Sequence, residues 1–276
     1  MKRKLKKVYT LICLCLIFGC GLYLFAQKKS DKESCQMQSS ISVGLHYSDL
    51  DLVKLNDNKP NQIRRYTGFN LSYNRENHTP NWVAWELLGE ETQGDIPREK
   101  KFWHDEIVEG CAWHEDYKKS GYDRGHMIPA ADQKWSSQAM FDSFVMANVC
   151  PQNPALNSGA WSTLENKTRQ WAKRDSCIII VAGPIYNQRD VQKIGKTKIR
   201  VPSAFFKVIV APYVKEPRGI GFVYPNMPSP GNMQNYIMTI DAIEELSNMD
   251  FFYNLPDEIE NQIEAVSSFK MWNKND

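Results

Sequence analysis

Three short apolar runs constrain the fold of this chain more than any other feature. Cys177-Ile-Ile-Ile-Val-Ala182 stops at Gly183-Pro184, Ala204-Phe-Phe-Lys-Val-Ile-Val-Ala211 follows, and Gly219-Ile-Gly-Phe-Val-Tyr224 completes the set. They are rich in β-branched and aromatic residues and bounded by Gly or Pro, so each reads as a strand. Upstream, Tyr66-Thr-Gly-Phe-Asn-Leu-Ser-Tyr73 alternates, His78-Thr-Pro-Asn81 makes a turn, and Trp82-Val-Ala-Trp-Glu-Leu-Leu88 pairs back as the second arm of a hairpin. The segment Phe141–Val149 is a further predicted strand, with Asn148 at its end. Residues 89–121 read mostly as loop. Helical spacing occurs over Asn157–Arg174, where Trp161, Leu164, Thr168 and Trp171 share one stripe with Glu165 beside it. Shorter helical patterns lie over Ile240–Leu246 and Pro256–Val266. Strands with a few helices set among them predict an α+β fold rather than repeated βαβ units.

The N-terminus differs from the rest. Residues 1–7 hold five basic side chains, and Val8 to Ala26 is a 19-residue run without charge. As a helix it would span about 28 Å, close to a hydrocarbon core, so residues 1–26 are expected to be a signal peptide or membrane anchor. A lipoprotein signal ending at Cys20 is the alternative. Residues 27–60 are expected to be a polar linker or stalk, and 61–276 the folded domain. The expected location is therefore exported: periplasmic, extracellular or tethered to the membrane.

Charge balance gives no support for a broad nucleic-acid surface. The formal net charge is +2, but without residues 1–7 the chain carries 29 basic against 32 acidic side chains. A chain that binds polyanions through bulk charge should be more basic than this. Outside the apolar segment stand Cys35, Cys111, Cys150 and Cys177, which allow three full pairings; there is no CxxC to suggest a zinc knuckle.

Chemistry concentrates between residues 121 and 165. Gly121-Tyr-Asp-Arg-Gly-His-Met-Ile-Pro-Ala-Ala-Asp132 is followed by Asn148-Val-Cys-Pro-Gln-Asn153 and Asn157-Ser-Gly-Ala-Trp-Ser-Thr-Leu-Glu165. Singly, these residues have structural readings: His126 as a satisfied core histidine, Asp123 as a turn cap, Asn157 as a helix N-cap. Together they suit phosphodiester cleavage. A histidine takes a proton near neutral pH. An Asn amide oxygen can ligate a hard divalent ion that keeps most of its waters. Arg124 can donate charge-assisted hydrogen bonds to phosphate. Glu165 lies two turns beyond Asn157, about 12 Å along a helix, far enough to act through a water. A zinc hydrolase built on His126 and His114 is a weaker reading, because no HxH or HExxH is present.

These residues, Asp-Arg-Gly-His, Pro129-Ala130, Asn148-x-x-Pro-Gln and Asn157-x-x-x-Trp-x-x-x-Glu165, resemble the DNA/RNA non-specific endonucleases with a ββα-metal (His-Me) finger. That family includes secreted bacterial nucleases and mitochondrial endonuclease G. The resemblance extends more weakly over roughly residues 60–265, through Trp82–Trp85, Phe205-Phe-Lys207 and Phe251–Pro256. It implies a central antiparallel sheet with flanking helices, and endonucleolytic hydrolysis of DNA and RNA to 5′-phosphate and 3′-hydroxyl ends. Mg²⁺ is the implied cofactor, with Mn²⁺ as a substitute. The roles it implies are His126 as general base, Asn157 as metal ligand, Glu165 on the metal's water, Asn148 orienting the histidine region and Arg124 on phosphate. Relatives often pair, so a homodimer is a further expectation, as is membrane attachment through the N-terminal segment. One position departs from the pattern. Secreted members carry an additional arginine where the alignment here places Lys100, with Arg98 two residues earlier. Lys cannot reproduce a planar bidentate fork, so Arg98 and Lys100 both stand as candidate substrate contacts.

Overall fold

The computed structural model describes residues 47–273 apart from 188, 190 and 230. These residues lie in one compact unit that begins at Tyr47. The leader expected over 1–26, and the stalk as far as residue 46, lie outside the described residues. In chain order the strands are β1 (Val53–Leu55), β2 (Gln62–Tyr66), β3 (Phe69–Asn74), β4 (Thr79–Leu88), β5 (Asp123–His126), β6 (Val149–Gln152), β7 (Cys177–Ile185), β8 (Lys193–Ile194), β9 (Ile199–Arg200), β10 (Ala204–Ala211), β11 (Arg218–Pro225), β12 (Ile237–Met238) and β13 (Met249–Phe251). Seven form one sheet in the order β12-β11-β10-β7-β4-β3-β2, with every neighbour antiparallel. The three apolar runs are its adjacent inner strands β7, β10 and β11. The fold is α+β, with a central antiparallel sheet and helices on both faces.

The alternation of side chains along a strand assigns the two faces. On β10, Phe205 and Lys207 meet Trp161, whereas Phe206 packs on Phe251 of β13. On β11, Phe222 and Tyr224 meet Trp171 and Trp161 of the long helical segment. Gly219 and Gly221 face the other way, and a Cβ on either would collide with Ile240, Ile243 or the Ile263 carbonyl. Two helices, Ile240–Ser247 and Asp257–Glu264, can therefore lie close against that face. The stripe predicted over Trp161, Leu164, Thr168 and Trp171 is fully buried or nearly so. Each buried Trp removes a large apolar area from water, so this seam is a main source of stability.

Several local expectations fail: the turn expected at His78–Asn81 lies at 75–78, and the strand expected over Tyr66–Tyr73 is broken at 67–68 between β2 and β3. Strand β1 lies inside the expected stalk and pairs with β13, because Val53 turns inward while Lys54 faces solvent and pairs with Asp250 at 3.2 Å. The predicted strand Phe141–Val149 is instead the end of a helix, Ser137–Ser143, a 3₁₀ turn at Met146–Asn148 and the start of β6. Ser136 caps that helix by accepting from the Ala139 N–H. The helix expected from Asn157 begins at Pro154, with Asn153 as its cap, so Asn157 is not an N-cap. Cys111, Cys150 and Cys177 are buried thiols rather than disulfides. No helix of the described residues is long and apolar enough to cross a membrane.

Candidate active site

Strands β5 and β6 form a two-stranded ribbon that delivers Asp-Arg-Gly-His to a cleft beside the main sheet. Gly125 sits opposite Cys150 and His126 opposite Val149. A Cβ at Gly125 would collide with the Gln152 side chain, so the motif needs glycine for close strand approach. Beyond His126 the chain is held by Asn148, which is fully buried. Its Oδ1 accepts from the Ile128 N–H at 3.0 Å, and its Nδ2 donates to the carbonyls of Ile128 at 3.1 Å and Ser143 at 2.8 Å. Its own carbonyl accepts from Met127 N–H at 3.0 Å. Asn148 therefore fixes the backbone that follows His126 and does not line the cleft. Of the expected catalytic residues, Asn148 is the one that lies outside the cleft lining.

The cleft has a volume of about 680 Å³, and its lining includes Arg98, Arg124, His126, Asn157 and Glu165. His126 is 8% exposed and its Nε2 has no hydrogen-bond partner. Its ring lies 5.1 Å from Phe102 and 4.9 Å from Phe144. Each of those rings carries an arginine: Arg124 lies 5.0 Å above Phe102 and Arg98 5.0 Å above Phe144. Burial, then the Arg98 charge, holds the His126 pKa down at about 3; a hydrogen bond to the Arg124 backbone opposes this and the Arg124 guanidinium adds to it. The imidazole is neutral at pH 7, and its Nε2 is buried without a partner.

Across the cleft, Asn157 opens a kinked segment, Asn157–Trp161, in which Gly159 leaves helical geometry (φ −103°, ψ −107°), between the turn Pro154–Leu156 and the helix Ser162–Asp175. Asn157 Nδ2 donates to Asp123 Oδ2 at 2.9 Å, which fixes the amide orientation and leaves Oδ1 as an available ligand atom. Glu165 is half-buried at the cleft with no hydrogen bond to its carboxyl. Burial pushes its pKa up to about 7 and Asp132 adds to this, while Lys207, Arg169 and Arg98 oppose. An uncommitted amide oxygen, an uncommitted carboxylate and a nearby aspartate are all hard oxygen donors. They fit a hard divalent ion that keeps most of its waters and needs few protein ligands.

Three further charges lie behind Glu165. Asp132 is buried and paired with Arg169 at 2.7 Å, and it accepts from Trp85 Nε1 at 3.2 Å. Lys207 is fully buried, with no hydrogen-bond partner for Nζ, between Trp161 at 4.6 Å and Trp85 at 5.4 Å. Burial lowers its pKa, and Glu165 and Asp132 hold it up. None of these three has a role expected from the sequence. A lysine inside the apolar run Ala204–Ala211 was the available signal. Lys100 is exposed. Of the two candidate substrate contacts, the cleft lining includes Arg98 and not Lys100. His114 shares the cleft, but among the described residues no group of three His, Cys, Asp or Glu ligands forms there.

Comparison with known proteins decides the family. A sequence profile for DNA/RNA non-specific endonucleases matches residues 47–258. The chain belongs to this family. It is 35% identical to mouse mitochondrial nuclease EXOG over 70% of its length, covering 58% of that protein. It is 32% identical to human mitochondrial endonuclease G, over 70% of each chain. A crystal structure of the EndoG/EndoGI complex superposes with a TM-score of 0.68 at 27% identity, covering 71% of this chain and 87% of that one. The chain spans about three-fifths the length of the mouse and zebrafish EXOG proteins. These comparisons overturn the export reading of the leader, since EXOG, endonuclease G and fission-yeast nuclease 1 are all mitochondrial nucleases. Basic, acid-free N-termini are shared by mitochondrial and export segments, which is why the leader alone misled.

Proposed function

We propose that this member of the family is a metal-dependent endonuclease that hydrolyses phosphodiester bonds of DNA and RNA without sequence preference, leaving 5′-phosphate and 3′-hydroxyl ends. The observation that carries the reading is the neutral, unpartnered Nε2 of His126 in one cleft with the open oxygens of Asn157 and Glu165. His126 serves as general base and accepts a proton from the attacking water. Arg98 and Arg124 seat the phosphate. Burial and, after it, these charges hold imidazolium formation back in the free protein; a bound phosphate cancels the charges, so the part of the depression they cause is relieved once substrate is present. Asn157 would hold Mg²⁺, for which Mn²⁺ can substitute, with Glu165 ordering its water. When bound, the ion neutralises charge on the phosphate and eases departure of the 3′-oxygen. All five groups address a phosphate and its charge rather than a base edge, which suits broad substrate range. The relatives' names point to a mitochondrial location.

The test is cleavage of plasmid DNA and of RNA with Mg²⁺, Mn²⁺ or chelator, beside His126→Ala. Wild type should cut both polymers only with metal, and the variant should lose at least ~10²-fold. Metal-independent cutting, or an active His126→Ala protein, would overturn the reading.

A further inference from the structure

The face of the sheet opposite the cleft carries a second polar cluster that the reaction does not use. Asp241 and Glu244 lie three residues apart on the helix Ile240–Ser247, so they share one face. Glu264 ends the helix Asp257–Glu264. One carboxylate oxygen from each lies within 4.8 Å of the others. Glu264 is only 6% exposed, and its Oε1 has no hydrogen-bond partner. Glu244 Oε1 accepts from the Phe251 N–H at 2.6 Å, so its second oxygen is uncommitted. The other charges that act on Glu244 and Glu264 are Asp250 and Glu260, also acidic; Lys54, which acts on Glu260, is itself paired with Asp250 at 3.2 Å.

We propose that Asp241, Glu244 and Glu264 form a second cation site, separate from the cleft, that takes a hard divalent ion of calcium size and pins the two helices to each other. A buried carboxylate with no cation or donor beside it is costly. At the end of a helix the dipole makes it costlier, since that terminus already carries partial negative charge. Without an ion, the cluster responds by holding protons. Burial, then Glu244 and the other acids, pushes Glu264 up to about 9; burial likewise pushes Glu244 up to about 7. A cation replaces those protons and satisfies all three oxygens together. Geometry favours calcium, which accepts about six to eight oxygens in a flexible arrangement, whereas magnesium demands a near-ideal octahedron and parts with its waters reluctantly.

The test is thermal melting of the full chain with chelator, calcium chloride or magnesium chloride, for wild type, Asn157→Ala, Asp241→Asn and Glu264→Gln. Wild type and Asn157→Ala should both melt about 5–10 °C higher at calcium a hundred-fold above its Kd. Asp241→Asn, at an exposed position that leaves the core intact, should lose that shift, as should Glu264→Gln. In chelator at pH 8, Glu264→Gln should melt above wild type, because burying Glu264 there requires uptake of a proton on folding and burying Gln does not. The proposal is overturned if calcium leaves wild type unmoved, if the shift survives in Asp241→Asn, or if it disappears in Asn157→Ala. A larger shift with magnesium would overturn the calcium assignment. No nuclease assay enters, so failure here leaves the reading of the cleft intact.

Discussion

Replacing Asn148 by Ala strands three backbone groups at once. The Ile128 N–H, the Ile128 carbonyl and the Ser143 carbonyl all bond to this side chain, and Ile128, Ser143 and Asn148 are all fully buried. A buried polar group left unpaired costs about 1–3 kcal/mol. With partial relaxation, three such groups put the loss at about 3–5 kcal/mol. For a domain of this size that is a fall in Tm of about 6–20 °C. Asn148→Asp separates the polar accounting from the loss of volume. Oδ1 can still accept from Ile128, but the second oxygen then faces two carbonyl oxygens instead of donating to them. Burial and those carbonyls favour the protonated acid, so the folded-state pKa of this Asp lies above its unfolded value. The variant's deficit is therefore smallest at low pH and grows as pH rises through the folded pKa. Melting wild type, Asn148→Ala and Asn148→Asp between pH 5 and pH 8 reads both effects. A deficit in Asn148→Asp that stays flat across that range, or an Ala variant within 1 °C of wild type, would refute the reasoning. At a temperature where Asn148→Ala is folded, kcat should fall more than KM changes, because the tether orients His126 and touches no substrate.

Further outcomes follow from the charges around the cleft. The folded His126 pKa of about 3 lies below the ordinary 6.5, so the unfolded chain binds more protons in between. Stability contributed by this residue is full above pH 6.5 and falls by about 1.4 kcal/mol per unit below it; wild type should lose Tm faster than His126→Ala between pH 6 and 4. Arg98→Ala should lower kcat/KM by about 10- to 150-fold, the value of a charged hydrogen bond to phosphate, while Lys100→Ala stays within about two-fold, and equal losses would contradict the geometry. Lys207→Met removes the buried cation that holds Glu165 down. It should shift the pH–activity curve toward alkaline pH while the protein stays folded, since Met fills similar volume between Trp85 and Trp161; an unmoved pH curve would count against that coupling.

Local sequence was enough wherever the deciding interactions are local. Cys177–Ala182, Ala204–Ala211 and Gly219–Tyr224 read as strands because a short apolar run bounded by Gly or Pro has few other ways to bury itself. The finger residues from Asp123 to Glu165 span 43 positions, and their spacing carries the family pattern. Periodicity reports which side chains face the same way along one element, not which elements meet. That is why Phe141–Val149 misled: Phe144, Val145, Met146 and Ala147 are buried from the end of a helix and a 3₁₀ turn rather than from a strand, while Phe141 is exposed. It is also why Arg98 over Phe144, Lys207 behind Glu165 and Glu264 beside Asp241 were out of reach. Each of these joins charges or rings from distant segments. Whether a charge is compensated depends on what packs across from it, and packing is settled only when the sheet and its helices come together.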